Sequence, residues 1–203
     1  MSEKRYAESA ARNAGPILEV LQDELRHSTS VLEVGSGTGQ HAIRFAAAMP
    51  QLCWQTSDRE ENHTAINAWI SDSNLENIRR PLALDVLDAT LDSNQYDAVF
   101  SANTAHIMSF AAVRKMFALV GHTLKQSGLF CLYGPFLVDG EFTTSSNQRF
   151  DASLRARDSS MGIRDLAALD ELGAESGLSR GGLYALPANN MLVVWLKYAA
   201  DLA

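Results

Sequence analysis

The sequence predicts an α/β fold: a mostly parallel sheet with helices on both faces. Three observations carry that expectation. Short apolar runs alternate with amphipathic stretches. A glycine-rich loop joins the first run to a helix. The composition, 46% hydrophobic and 20% charged over 203 residues, is that of an ordinary folded domain able to bury a core without disulfides or metal.

Taken in order, Tyr6 to Ala14 is polar and alanine-rich and stops at Gly15-Pro16. Ile17, Leu18, Leu21 and Leu25 then mark the apolar face of a helix that packs on the sheet. Ser30 to Val34 reads as the first strand, Gln40 to Met49 as a helix stopped by Pro50, Leu52 to Thr56 as the second strand and Asn62 to Ser71 as the next helix. Weaker extended runs at Pro81 to Leu84 and Tyr96 to Ser101 precede a helix from about Phe110 to Lys125. The turn at Ser127-Gly128 then leads into a strong strand, Leu129 to Tyr133. From Gly134 to Gly162 the rhythm breaks into a Gly-, Ser-, Thr-, Asn- and charge-rich insertion, with a short helix carrying Phe150 and Leu154. A helix over Asp165 to Ser176 stops at Gly177. Two extended segments, Leu178 to Leu186 and Met191 to Tyr198, flank a tight turn at Pro187 to Asn190.

Charge narrows the function classes. With 17 Lys and Arg against 24 Asp and Glu, the formal charge is −7, the wrong sign for a protein that condenses on phosphate backbones. The charged start, Met1 to Tyr6, is followed by no apolar run, so no secretory leader or membrane span is expected and a cytoplasmic location follows. Cys53 and Cys131 each sit in an apolar run and read as reduced core residues. No Cys/His spacing suggests zinc, so no metal is expected.

The sharpest local signal is Glu33-Val34-Gly35-Ser36-Gly37-Thr38-Gly39-Gln40. Glycines let the chain turn tightly and let a ligand approach the backbone. A dinucleotide loop reads GxGxxG; here the spacing is GxGxG, with an acid two residues before the first glycine. That carboxylate repels a pyrophosphate and suits a ligand bearing a sulfonium and an ammonium. A nicotinamide-dependent oxidoreductase is disfavoured for the same reasons, and neither a nucleophile elbow nor a P-loop is present.

E-x-G-x-G-x-G after a first strand resembles the hallmark motif of class I S-adenosylmethionine (SAM) dependent methyltransferases. Asp58, closing the second strand 19 residues after Gly39, stands where an acid accepts hydrogen bonds from both ribose hydroxyls. Asp85, beside Val86, matches the family position that contacts the adenine amino group. The structural alternatives are a turn acid and a turn cap. Further segments are similar to a subfamily, the domain of unknown function family 938 or methyltransferase-like protein 26 group: Arg12-Asn13, Asn103 to Ile107, Tyr133 to Phe136, Ser146 to Asp151, Gly162 to Asp165 and Leu186 to Asn190. The resemblance runs over nearly the whole chain. It implies a Rossmann-like class I fold with a seven-stranded sheet whose last strand is antiparallel, and a single domain over 1–203. Within it, 1–27 forms an N-terminal cap segment and helix, and 134–164 a polar insertion over the acceptor site. SAM is the implied cofactor, held by Glu33, Gly35, Gly37, Gly39, Asp58, Asp85, Val86 and Asn103, with Arg12 and Asn13 folding over it.

Ligands in such sheets bind beyond the carboxyl ends of the parallel strands. That places His106, after the fourth strand, and Tyr133, ending the fifth, at the chemistry. His106 is the candidate base, because an imidazole is half titrated near neutral pH; its alternative is a histidine satisfied at the loop edge. Tyr133 is a candidate acceptor contact or a structural aromatic. Asn147, Arg149, Asn189 and Asn190 are candidate acceptor contacts, with Arg149 pairing an anionic group and Asn147 sharing a helical face with Asp151. The reading is a methyltransferase with a small-molecule acceptor; the alternative is a non-catalytic SAM-binding interaction partner. The acceptor and the oligomeric state are left open.

Overall fold

The computed structural model describes residues 4–198. Met1 to Glu3, part of the charged start read above, and residues 199–203 lie outside the described residues. The elements, in chain order, are α1 (Glu8–Glu24), β1 (Ser30–Val34), α2 (Gln40–Ala48), β2 (Cys53–Asp58), α3 (His63–Ser73), β3 (Ile78–Ala83), β4 (Tyr96–Ala102), α4 (Phe110–Thr123) and β5 (Leu124–Gly134). There follow β6 (Phe136–Val138), β7 (Glu141–Phe142), α5 (Ser145–Arg157), β8 (Arg164–Asp165), α6 (Leu166–Glu175), β9 (Leu178–Leu186) and β10 (Asn190–Lys197).

Seven strands form one sheet in the order β3-β2-β1-β4-β5-β10-β9. β1 to β5 run parallel, and β10 is antiparallel to both β5 and β9. Alternate residues of the central strands feed opposite faces. Leu32, Val99, Phe130 and Trp195 enter the core under α4 and α6, whereas Val31, Phe100, Cys131 and Val194 enter the core under α1 and α2. Burial on both faces is what turns these strands into near-continuous apolar runs. Both cysteines are free; Cys131 is buried and Cys53 half-buried.

Two sequence expectations change. The predicted break at Gly15-Pro16 is absent, and α1 runs through Pro16. A proline inside a helix removes the bond to the carbonyl four residues back and costs ~3 kcal/mol. Ala14, Ile17, Leu21 and Leu25 form one fully buried stripe across the proline, and burying Ile and Leu side chains contributes ~1.5–3 kcal/mol each, enough to hold the helix together. Second, Ser127-Gly128 does not precede the fifth strand but lies within it. Ser127 takes φ +61, and the pairing of β4 with β5 shifts register between Tyr96 and Ala98, as a bulge does.

The 134–164 segment is more ordered than its composition suggests. β7, β6 and β8 form a small sheet, and α5 starts at Thr144, whose hydroxyl accepts from Asn147 N–H. Asn147, Asp151 and Leu154 are its buried residues, so the shared face expected for 147 and 151 is present.

Candidate active site

The glycine loop leaves β1 with Gly35, Gly37 and Gly39 all at positive φ. It is tied to β2, since Gly35 and Ser36 N–H both donate to the Ser57 carbonyl (3.1 and 2.9 Å). Gly37 N–H donates to Asp58 Oδ2 at 2.6 Å, while Arg59 N–H and the Asn62 amide donate to Asp58 Oδ1. A carboxylate has about four lone-pair positions, so three donors orient Asp58 and leave capacity for a ligand. At Gly37 an added Cβ would meet nothing within 4 Å, whereas at Gly35 it would strike Thr104 Cγ2 at 2.7 Å. The loop is therefore packed on one side and open on the other.

That open side is a cavity of about 440 Å³ whose lining includes Gly35, Gly37, Asp58, Asp85, Val86 and Asn103, with Leu84, Ile107 and Met108 as apolar walls. Asp85 also caps its own turn, accepting from Leu87 N–H at 3.1 Å. Glu33 and Gly39 are not on this wall. Gly39 starts α2 against the Ile66 backbone. Glu33 is buried beneath the loop, where its Oε2 accepts from Ser36 Oγ (3.0 Å) and Trp54 Nε1 (3.1 Å). Burial pushes its pKa up to about 7 against those two hydrogen bonds, and nearby Asp58 adds to the rise.

A second cavity, about 860 Å³, lies beside the first and includes Arg12, Asn13, His106, Tyr133, Asn147 and Asn190 in its lining. Asn103, itself at φ +59, lines both cavities. Its N–H donates to the Tyr133 carbonyl (2.8 Å), which joins the ends of β4 and β5 at the junction. Arg12 and Asn13, expected over the cofactor loop, line this second space. Asn13 Oδ1 lies 2.7 Å from Nε2 of His41, at the start of α2.

His106 is 6% exposed, its ring edge-on to Phe150 with centroids 5.3 Å apart. The expected titration near neutrality is not found. Burial, and then the charge of Arg164, lower its pKa to about 4, so the imidazole is neutral at physiological pH. Tyr133 is buried and its pKa is raised by that burial, with hydrogen bonds from the Asn190 and Asn13 amides pulling the other way.

Arg149 and Asn189 line neither cavity. On a 3.6-residue period, Asn147 and Asp151 share the inner face of α5 and position 149 falls opposite; Arg149 is exposed. Asn189 contributes its backbone carbonyl, which accepts from the Asn147 amide at 3.1 Å. Arg164, within the Gly162 to Asp165 segment of the resemblance, is the residue to which the sequence assigned no role. It is 8% exposed, and its guanidinium donates to the carbonyls of Ala105 (3.0 Å), Met108 and Ser160 (2.8 Å). This pins the 103–109 loop, which carries Asn103 and His106, to the 134–164 segment. A lone arginine after Gly162-Ile163 offers no spacing signal from which to find it.

Among the described residues no group of three or more His, Cys, Asp or Glu side chains is placed to hold a metal ion. No helix there is long and apolar enough to cross a membrane.

The strand order, the antiparallel β10 and the glycine loop define a class I methyltransferase-like fold. Solved structures share it. An O-methyltransferase family protein from Burkholderia thailandensis superposes with a TM-score of 0.82 at 15% identity, covering 96% of this chain and 59% of that one. The S-adenosylmethionine-dependent methyltransferase SibL gives 0.73 at 20% identity, covering 94% and 56%. The YcgJ protein from Bacillus subtilis gives 0.71 at 16% identity, covering 94% and 100%. The chain thus spans somewhat over half the length of the first two. The family described as "Protein of unknown function (DUF938)" matches residues 4–197, and the chain belongs to that family.

Proposed function

We propose that this protein is a SAM-dependent methyltransferase acting on a small-molecule acceptor. The observation that carries the reading is the pair of adjoining cavities with Asn103 in the wall of both: one fits a nucleoside, the other an acceptor, as a transfer between two bound molecules requires.

The first cavity fits the cofactor on its own chemistry. It offers the carboxylates of Asp58 and Asp85, apolar walls for a purine, and an open face at Gly37 that a Cβ would intrude upon. SAM supplies, when bound, a methyl group activated by its sulfonium. Asp58 would hold the ribose hydroxyls, Asp85 the adenine amine, and Val86 and Leu84 the purine faces. Glu33 acts from beneath, fixing Ser36 and hence the loop. Asn103 stands between the two ligands. His106, neutral and with one nitrogen able to accept and one to donate, orients the acceptor; with a pKa of about 4 it is a hydrogen-bond partner more than a strong base. The 134–164 segment forms one wall of the acceptor cavity, through Asn147 and Phe150, and the chain works as a single catalytic domain with residues 4–27, the described part of the N-terminal segment, as its cap.

Thermal unfolding with SAM, S-adenosylhomocysteine and NAD in parallel tests the reading. At about 100 times the dissociation constant a ligand adds ~2.7 kcal/mol, a rise of roughly 5–10 °C for a chain of this size. The shift is expected with the first two ligands and not with NAD, and is expected to be lost in Asp58→Ala. No shift with SAM or S-adenosylhomocysteine, or a shift with NAD, refutes it. Turnover of labelled SAM with an acceptor separates an enzyme from a non-catalytic binder.

A further inference from the structure

The lining of the second cavity carries a charge asymmetry. Among the described residues of its lining, Arg12 is the one ionised side chain and no carboxylate is present. Glu8 pairs with Arg12 at 3.4 Å, but both side chains are over 70% exposed, so the pair is weak and yields readily to a competing anion. Asp151, one turn beyond Asn147, faces away into a bond with Arg155 (2.7 Å) and the Ile163 N–H (2.7 Å).

Two helices begin on this space. Ser9 lies in the first turn of α1, which has no side-chain cap, and Ser146 in the first turn of α5; both line the cavity. Thr144 caps the Asn147 N–H of α5, and the remaining first-turn N–H groups of the two helices favour negative charge. The deeper wall is different. His106 is 94% buried and lines the cavity, yet its ring has no hydrogen-bond partner among the described residues. Its ring nitrogens are not among the fully buried unpaired atoms, so they open onto the cavity, where one can donate to a ligand and the other accept. Tyr133, with two amides directed at its oxygen, has its own O–H left to donate. Between these polar groups the lining is apolar and ring-bearing, the Phe150 ring edge-on to His106 together with Pro16, Pro135 and Pro187, and suits the face of an aromatic ring.

We propose that this cavity takes a small aromatic hydroxy acid, its carboxylate toward Arg12 and the two helix N-termini and its hydroxyl at His106 and Tyr133. The proposal rests on the methyltransferase reading for its role, since the hydroxyl then lies on the Asn103 side, where the methyl group arrives. Its binding chemistry stands on the cavity alone. Arg12 thereby takes the part that the sequence assigned to Arg149.

The test is titration calorimetry on the full chain without cofactor, using three probes of one shape: 4-hydroxybenzoate, 4-hydroxybenzamide and 4-hydroxybenzylamine. The benzoate is expected to bind at least about tenfold more tightly than the amine, with the amide between, a preference that shrinks as salt shortens the screening length. Arg12→Gln, a change at an exposed position, is expected to bring the benzoate to the level of the amide. His106→Ala is expected to weaken all three. Equal or tighter binding of the amine, an unchanged preference in Arg12→Gln, or no binding of any probe overturns the proposal. The S-adenosylhomocysteine melting shift is read on the same samples. A retained shift without anion preference overturns this proposal alone, and an anion preference without the shift supports it while refuting the cofactor reading.

Discussion

Replacing Gly35 by alanine tests the contact that joins the glycine loop to the segment after β4. At φ +76 a residue with a Cβ costs about 1–2 kcal/mol in backbone strain. The new Cβ would also stand 2.7 Å from Thr104 Cγ2, roughly 1 Å inside an ordinary carbon contact. Thr104 is buried and its hydroxyl is held by Ser101 at 2.7 Å, so it has little freedom to turn away, and overpacking of this kind costs about 1–3 kcal/mol. The total, about 3 kcal/mol, lowers the melting midpoint by roughly 6–12 °C for a chain of this length. Urea denaturation of Gly35→Ala, Thr104→Ser and the double variant measures it. Serine keeps the hydroxyl and removes Cγ2, so the double variant is expected to recover about 1–3 kcal/mol relative to the sum of the singles. Gly37→Ala, at φ +59 with nothing within 4 Å, carries the backbone cost alone. If Gly35→Ala is no worse than Gly37→Ala, or the double variant recovers nothing, the loop is not packed as described.

Glu33 is protonated more readily in the folded chain than in the unfolded one, with a pKa of about 7 against 4.5. Its contribution to stability is therefore complete below pH 4.5 and is lost as pH rises through 7, an effect on the order of 3 kcal/mol. Comparing pH series of urea midpoints, Glu33→Gln should gain on the wild type across that window; parallel curves would refute the buried acid. His41 and His106 act in the other direction, with burial lowering both from 6.5 to about 4. Their contribution is complete above pH 6.5 and is lost as pH falls toward 4, and NMR titration of the ring protons should find no midpoint near 6.5. Arg164→Met leaves three backbone carbonyls without their donor and is expected to cost about 3 kcal/mol. Arg164→Lys should restore little, because an ammonium lacks the planar fork; a loss below about 0.5 kcal/mol in Arg164→Met, the scale of an ordinary surface substitution, would show that the pin carries no load.

What could be read along the chain was whatever depends on neighbours in sequence. The buried strands Val31 to Val34 and Leu129 to Tyr133 declare themselves because apolar side chains on both faces make unbroken apolar runs. The glycine loop declares itself because left-handed backbone at positions 35, 37 and 39 selects for the absence of a Cβ. The spacing from Gly39 to Asp58 is one helix and one strand, so it too is visible in one dimension. Asn147 and Asp151 were placed on a common face by helical period alone.

What was hidden depends on partners far apart in sequence. Pro16 reads as a break until the buried stripe of Ile17, Leu21 and Leu25 holds the helix across it. His106 reads as titrating near neutrality until burial among the 134–164 segment removes the solvent that would stabilise its charge. Arg149 reads as the partner of an anion and Arg12 as a residue folding over the cofactor, and only the orientation of α5 and the path of α1 turn the first outward and bring the second to the other cavity. Arg164 has no spacing signature, since two of its three carbonyl partners lie 56 and 59 residues away. Periodicity and turn chemistry are written in adjacent residues; burial, and with it charge state and the meeting of two cavities at Asn103, exists only once the distant segments have packed.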